Sequence, residues 1–347
     1  MARIRTIVLS LVPLQFGVLQ FFGWPQRSEP LSAVYAAALE RVRVMEHTGY
    51  EAVWLAEHHF TGYSVCPSVH MLGVHIAHHT ERLRIGTAVS LAAFYHPLRL
   101  AEEVALLDVL SSGRVNWGAG RGFDPVEFGI FGVRVEDSGR RFHEAVDIVK
   151  AAWTQERLTY RGEFWQFEDV EVLPKPLQAP HPPIWLAAGS EGAVRWAGKH
   201  GYRIMLGPHS TFAENAAHYE LYLGERRAAG HPGDAGPVPM ARFVAVADTD
   251  AEAARIAERG ARWVGATYMN VSKATRPGCQ DQAVLTMNEG AKLDRYLSSA
   301  VIHGCPQRVI DTINELRERM HLHYLMVAPL SRGSFLSFTD HVLPHFL

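Results

Sequence analysis

Between residues 31 and 48 apolar side chains recur at helical spacing, the run stops at Gly49, and "YEAVWLAE" follows as a short apolar stretch of strand length. The succession then repeats. "PSVHMLGVHIAHHT" has helical periodicity, "RLRIGTAVSL" reads as strand, "PLRLAEEVALLDVLSSG" as a helix with a Ser-Ser-Gly stop, and "RVNWGAG" as strand again. After the helical "RRFHEAVDIVKAAW", residues 154–183 break the rhythm with "LTYRGEFWQFEDVEVLP", which alternates like a hairpin. The rhythm resumes with "PPIWLAAGSEGAVRWAGKHGYRIMLG", and "PVPMARFVAVA" and "HYLMVAPL" supply two more strand-like runs. With a first strand at 15–22, the chain offers eight: 15–22, 52–56, 84–91, 115–119, 184–188, 203–206, 239–247 and 324–328. Strands alternating with helices build a parallel sheet, and eight such units favour a closed (β/α)8 TIM barrel, an α/β fold. The chain therefore reads as one domain over 1–347, with a hairpin near 154–183 and a further insertion near 265–300. In such a barrel the site lies at the carboxyl ends of the strands.

Composition narrows the function classes without choosing one. Lysine and arginine total 34 against 36 acidic residues, so no polyanion-binding surface and no nucleic-acid partner is implied. No run reaches the roughly 18 uninterrupted apolar residues of a membrane span. The start, "MARIRTIVLSLVPLQFGVLQFFGWP", resembles a signal peptide, but Pro13, Gln15 and Gln20 interrupt it and no small-x-small cleavage site closes it. Cys66, Cys279 and Cys305 are odd in number and far apart, which excludes a disulfide framework or a CxxC metal site and fits a reducing cytoplasm.

Candidate chemistry collects where strands end. Glu57, His58 and His59 follow the second strand, and adjacent residues there point in opposite directions. The two imidazoles thus do not share a metal; either one faces the mouth for proton transfer while the other packs behind it, or both are simply satisfied by neighbouring hydrogen bonds. No metal site is expected. His70, His75, His78 and His79 lie on a helix running away from that end and read as its solvated terminus. "GAGRGF", residues 118–123, has the wrong spacing for a dinucleotide loop, but Gly118, Gly120 and Gly122 admit close backbone approach and Arg121 offers a planar cation for a phosphate. Gly189 and Ser190 sit between a strand end and a helix start, where free N–H groups and the helix dipole favour an anion; Ser190 is equally read as an N-cap.

The segments "GYEAVWLAEHHF", "RLRIGTAVSLAAFYHPLRLAEEVALLDVLSSGRVNWGAGRG", "PPIWLAAGS" and "HYLMVAPLSRGSFLSFTDHVLPHF" resemble, in order and spacing, the bacterial luciferase-like flavin-dependent monooxygenases. The resemblance implies a (β/α)8 barrel that binds FMN at its mouth, reduces molecular oxygen to a flavin C4a-peroxide and oxygenates an organic substrate. It implies that His58 is catalytic, that a cis peptide joins Ala88 and Val89 beneath the flavin ring, that Arg121 grips the phosphate, and that 187–193 form the strand-five loop. The implied cofactor contacts are Glu57, Ala88, Val89, Gly120, Arg121, Gly122, Phe123, Ala187, Ala188, Gly189, Ser190 and Ala193. Where the light-emitting subunit has a reactive cysteine this chain has Gly120, and where it has a loop glutamate and a second phosphate-binding arginine this chain has Gly189 and Gly139, with Arg140 and Arg141 beside the latter. Bioluminescence is therefore not implied.

The resulting expectation is a two-component monooxygenase using FMNH2 from a separate NAD(P)H:flavin reductase, a cytoplasmic homodimer paired through its early helices. Its substrate is expected to be small and largely apolar, an aldehyde or ketone, an alkene or a terpenoid. Phe16, Phe22, Trp24, Phe60, Phe94, Tyr95 and Phe123 are expected at the mouth, with Phe60, Tyr95 and His96 on the substrate and Glu57 and His59 supporting His58. The alternatives are F420-dependent hydride transfer on the same fold and a non-catalytic flavin-binding partner subunit.

Overall fold

All eight runs read as strands are strands in the computed structural model, which describes residues 13–232, 236–269, 290–320 and 322–347. In chain order they are β1 (Gln15–Gln20), β2 (Ala52–Leu55), β3 (Arg84–Thr87) continued by β4 (Ser90–Leu91), and β5 (Val115–Gly120). The antiparallel hairpin of β6 (Leu158–Arg161) and β7 (Gln166–Val170) intervenes before β8 (Ile184–Ala187), β9 (Arg203–Met205) and β10 (Pro239–Val246). β11 (Val301–Gly304) and β12 (Tyr324–Pro329) follow. The helices between them are α1 (Leu31–Glu46), α2 (Val69–His78), α3 (Pro97–Leu110), α4 (Pro125–Ile130), α5 (Ser138–Thr154), α6 (Glu191–Lys199), α7 (Phe212–Ala228) and α8 (Asp250–Val264). α9 (Gly290–Ala300), α10 (Pro306–Met320) and α11 (Arg332–His341) complete the ring.

The barrel strands pair in parallel and in sequence order from β12 through β1 to β9. Leu206 closes the ring: its N–H donates to the Pro239 carbonyl at 2.9 Å, and its carbonyl accepts from the Ala241 N–H at 2.9 Å. Above that bridge the same edge of β10 pairs with β11, from Phe243 opposite Val301 to Val246 opposite Gly304. The apolar pattern gave no warning of β11, because "VIHG" is four residues long and ends in a polar pair. Of the expected insertion at 265–300, a π-helical turn at Gly265–Met269 and α9 are described, and 270–289 lie outside the described residues.

Strand alternation splits the core into two clusters. Outward-facing Val18, Val53, Leu55, Ile85, Val115, Trp117 and Leu325 pack under the helices. Inward-facing Leu19, Trp54, Trp185, Met205, Tyr324 and Met326 fill the bore. Trp54 Nε1 donates to Tyr324 Oη at 2.9 Å, and its ring meets Trp185 edge-on at 5.9 Å. Room for that indole comes from Gly86 next door, where a Cβ would fall 2.3 Å from the ring. At the amino end, Arg82 donates to the carbonyls of Met45, Thr48 and Tyr50, and Arg114 to those of Ala77, Thr80 and Leu83, closing the ends of α1 and α2.

Gly86→Ala is expected to destabilise the fold by about 3 kcal/mol, the upper part of the usual overpacking range. Chemical denaturation reads the loss, and a Gly86→Ala, Trp54→Phe double variant, which shrinks the opposing ring, is expected to recover part of it.

Candidate active site

β2 delivers the Glu57-His58-His59 segment to the carboxyl end, and the alternation of the strand fixes what each side chain does. Ala56 is inward, so His58 turns toward the mouth and Glu57 and His59 turn behind the wall. His58 is anchored by its N–H donating to the Cys66 carbonyl at 3.1 Å, and its ring stands edge-on to Tyr63 at 5.1 Å and Phe123 at 6.1 Å. Burial, and then the neighbouring His59, push its pKa down to about 3, so the imidazole is neutral at physiological pH.

Behind it lies a network the sequence assigned differently. Glu57, 2% exposed, accepts from Tyr95 Oη at 3.1 Å, from the Leu91 N–H at 3.3 Å, and pairs with His59 Nε2 at 3.0 Å. Its carboxylate serves His59 and Tyr95, not His58. The group beside His58 is Glu127, whose Oε1 lies 3.9 Å from His58 Nδ1 and accepts the His59 N–H at 2.9 Å. Glu127 Oε2 is buried and has no hydrogen-bond partner among the described residues. Burial raises its pKa to about 7, the His59 N–H opposing the shift. The sequence concealed Glu127 because "DPVE" has the form of a helix start with an acid at the third position, the pattern of a capping box. Asp124 does cap α4, accepting from the Val126 N–H at 2.8 Å, but Glu127 turns inward instead of reaching back.

His209, after β9, is the other group sequence reasoning missed. Its pKa is pushed down to about 3 by burial and then by the neighbouring His58, its ring is 5.5 Å from Phe243, and Tyr296 Oη lies 3.5 Å from its Nδ1. Tyr63, Phe21 and Phe243 continue the aromatic wall, with ring centroids 5.1 Å apart for the first pair and 6.0 Å for the second.

The remaining expected residues separate into those at the mouth and those elsewhere. The Ala88–Val89 peptide is cis and separates β3 from β4. Ala56, Ala88, Gly120 and Ala187 are the inward positions at the carboxyl ends of four adjacent strands, an arc of small side chains above the Trp54 floor. Gly122 has a φ of 82°, which glycine adopts freely. Arg121 is exposed directly after β5, two positions beyond Ala119, which pairs with Leu186 of β8, so the register continued past the strand brings it level with Ala188. Ser190 caps α6, its hydroxyl accepting from the Ala193 N–H at 3.4 Å, and this leaves the Glu191 and Gly192 N–H groups at an exposed helix start. A Cβ at Gly189 would meet nothing within 4 Å. A guanidinium beside a helix amino end fits a phosphate, and the arc of small residues fits a flat ring, so the donor set suits a flavin mononucleotide.

The structure gives other expected residues specific partners. Phe16 packs on Phe338 and Phe346 at the amino end and Phe22 lies under α1 against Tyr35, since both occupy outward strand positions. His96 is exposed just before α3, and its ring meets Phe167 of the hairpin at 5.6 Å. Tyr95 spends its hydroxyl on Glu57. Arg140 pairs with Asp137 and Glu163, and Arg141 donates to the Ala93 carbonyl and covers Trp165, so neither replaces a phosphate ligand. Phe60 is exposed beside Phe131, and Phe94 stacks on the same ring. His70 is buried between Glu103 and Ser90, while His75, His78 and His79 are exposed. Among the described residues no three His, Cys, Asp or Glu side chains converge as metal ligands, and no helix is long and apolar enough to cross a membrane.

Known proteins share this arrangement. The chain is 32% identical over 177 residues to the oxygenase component of a flavin-dependent trigonelline monooxygenase from Acinetobacter baylyi, covering 50% of this chain and 49% of the relative. It is 30% identical over 189 residues to the alkanal monooxygenase alpha chain of Photorhabdus luminescens, covering 54% and 52%. The chain thus spans about half the length of the curated relatives it matches. In fold it superposes on the monooxygenase RslO1 of Streptomyces bottropensis with a TM-score of 0.84 at 24% identity, covering 96% of this chain and 100% of the other. The luciferase-like monooxygenase family matches residues 14–323, and with its barrel, its mouth histidine and its strand-end loops in place the chain belongs to that family.

Proposed function

We propose that the protein is the oxygenase component of a two-component system, binding FMNH2 delivered by a separate NAD(P)H:flavin reductase and inserting oxygen into a small, largely apolar organic substrate. The observation that carries this reading is the neutral His58 imidazole at the mouth with Glu127 behind it. The description of the Acinetobacter relative as an oxygenase component supports the separate reductase. Arg121 and the backbone at Gly189 and Ser190 would hold the phosphate, and Ala88, Val89, Gly120 and Gly122 would leave space for the ring. When bound, the reduced flavin supplies the electrons that activate molecular oxygen.

The chain's own residues then manage protons and water. Tyr63, Phe123 and Phe243 make the mouth apolar, which strengthens every electrostatic contact inside it. His58, its Nδ1 directed at Glu127, presents Nε2 on the other edge of the ring for proton exchange with the reacting group. Glu127, poised near neutrality, replenishes or receives that proton; at 3.9 Å the passage runs through a water or a small side-chain shift. Glu57 keeps His59 oriented, and the His59 N–H keeps Glu127 in place.

Association is part of the proposal. α2 and α3 expose Met71 at 77%, Leu106 at 47% and Leu110 at 53%, an apolar face of the kind that marks a protein contact, and we assign it to a homodimer placed in the cytoplasm.

Three outcomes are expected. Purified protein mixed anaerobically with FMNH2 and then with oxygen shows a lag between oxygen uptake and recovery of the oxidised flavin spectrum, and His58→Ala cuts substrate oxygenation by 100-fold or more; tight binding of F420 without oxygen uptake would sink the reading. Because folded Glu127 keeps its proton to about pH 7 while an unfolded chain releases it near 4.5, its stabilising protonated form is intact below 4.5 and lost on rising through 7. Glu127→Gln should therefore gain on the parent by up to about 3 kcal/mol between pH 5 and 8 in denaturation curves, and flatten the pH profile of oxygenation across neutrality. Leu110→Glu should shift the protein to monomer in analytical ultracentrifugation.

A further inference from the structure

A cavity of about 340 Å³ is lined by Trp24, Pro25, Gln26, Arg27, Gly62, Trp263 and Thr267. It draws on the loops after β1 and β2 and on the end of α8, so it lies beside the mouth. Its wall is shared with the site: Trp263 stacks on Tyr63 at 5.4 Å and 21°, and Tyr63 in turn meets His58. The volume is at the lower end for small-molecule pockets, which run from about 300 to 1,000 Å³.

Two segments of unusual backbone converge on this cavity. Gln26 and Arg27 have φ values of 54° and 50°, the left-handed region that side chains other than glycine enter at a cost. Thr267 belongs to the π-helical turn Gly265–Met269, a feature found frequently at functional sites, and its hydroxyl donates to the Trp263 carbonyl at 2.7 Å. The indoles are fixed as well. Trp24 Nε1 donates to the Glu29 carbonyl at 2.8 Å and its N–H to the Gly62 carbonyl at 2.9 Å, while a Cβ at Gly23 would strike the Trp263 ring at 2.9 Å. The strained turn holds Arg27 in the lining, with its guanidinium 5.6 Å from the Trp24 ring. Arg27 is the sole charged residue in that lining and has no carboxylate partner among the described residues. Two rigid indole walls select a flat apolar body, and an unpaired guanidinium selects an anion at its edge.

We infer that this cavity binds a planar aromatic carboxylate, its ring against Trp24 and Trp263 and its carboxylate on Arg27, as the docking position of the substrate beside the mouth. That the occupant is the substrate rests on the oxygenase reading; that the cavity takes such a ligand does not. Tyr63 then has two faces in use, one toward the docked ring through Trp263 and one toward His58.

The test is calorimetric titration of the flavin-free full chain with 2-naphthoate and with the uncharged 2-naphthylmethanol. Naphthoate is expected to bind at least tenfold more tightly than the alcohol, Arg27→Ala to remove roughly that factor for naphthoate alone, and Arg27→Lys to restore part of it. Thr267→Trp, which fills the cavity, should abolish binding of both probes while circular dichroism stays unchanged. Equal affinity for the two probes, indifference to Arg27→Ala, or no binding at all would overturn the assignment. Failure of the oxygenase reading registers separately, in the oxygen-uptake experiment with FMNH2 and no aromatic probe present.

Discussion

The side chains that fill the bore of the barrel are arranged around Trp54, which fits because its neighbouring strand offers no side chain at Gly86. From that position the indole reaches Tyr324 on β12 by a hydrogen bond and Trp185 on β8 by an edge contact, so one residue ties three strands into a solid floor. Packing at interior density leaves no space for a ligand at that level. Space returns only above it, where the inward positions are Ala56, Ala88, Gly120 and Ala187. The site is therefore placed by subtraction: a large side chain below, small ones above, on the same strands.

The electrostatics of the mouth turn on two buried carboxylates treated in opposite ways. Glu57 has three hydrogen-bond partners, which fix it in place against His59 and Tyr95. Glu127 has one donor for one oxygen and none for the other among the described residues, and burial moves its titration to about 7. A carboxyl group held near neutrality can exchange a proton at little cost. The adjacency of His58 and His59 matters for this reason. His59 links the two carboxyl groups, its ring on Glu57 and its N–H on Glu127, while His58 stands on the mouth side.

The barrel and the site's location were legible because they depend on periodicity: apolar runs of strand length, helical spacing between them, and strand ends that coincide with polar residues. What escaped depended on contacts between distant segments. Glu127 is 68 residues from the His59 N–H it accepts, and its local pattern reads as a helix start. His209 sits alone in a polar loop, with no periodic neighbour to mark it. Phe16 and Phe22 were misplaced for a different reason, since aromatic type suggests a pocket but strand parity decides the face, and both have the parity of the outer core.

Arginine use shows how position along the barrel axis changes the meaning of one residue type. At the amino end, Arg82 and Arg114 each give three or more hydrogen bonds to carbonyls at helix ends, so their charge neutralises orphan acceptors and their role is complete within the fold. At the carboxyl end Arg121 is exposed next to the start of α6, where the helix itself presents donors and offers no carbonyl to take a guanidinium. A guanidinium beside a helix amino end favours an anion between them. Arg27 stands instead over the Trp24 indole, whose face attracts a guanidinium. The arginines of the amino end are thus used up within the fold, while Arg121 and Arg27 at the other end are exposed where a ligand can reach them.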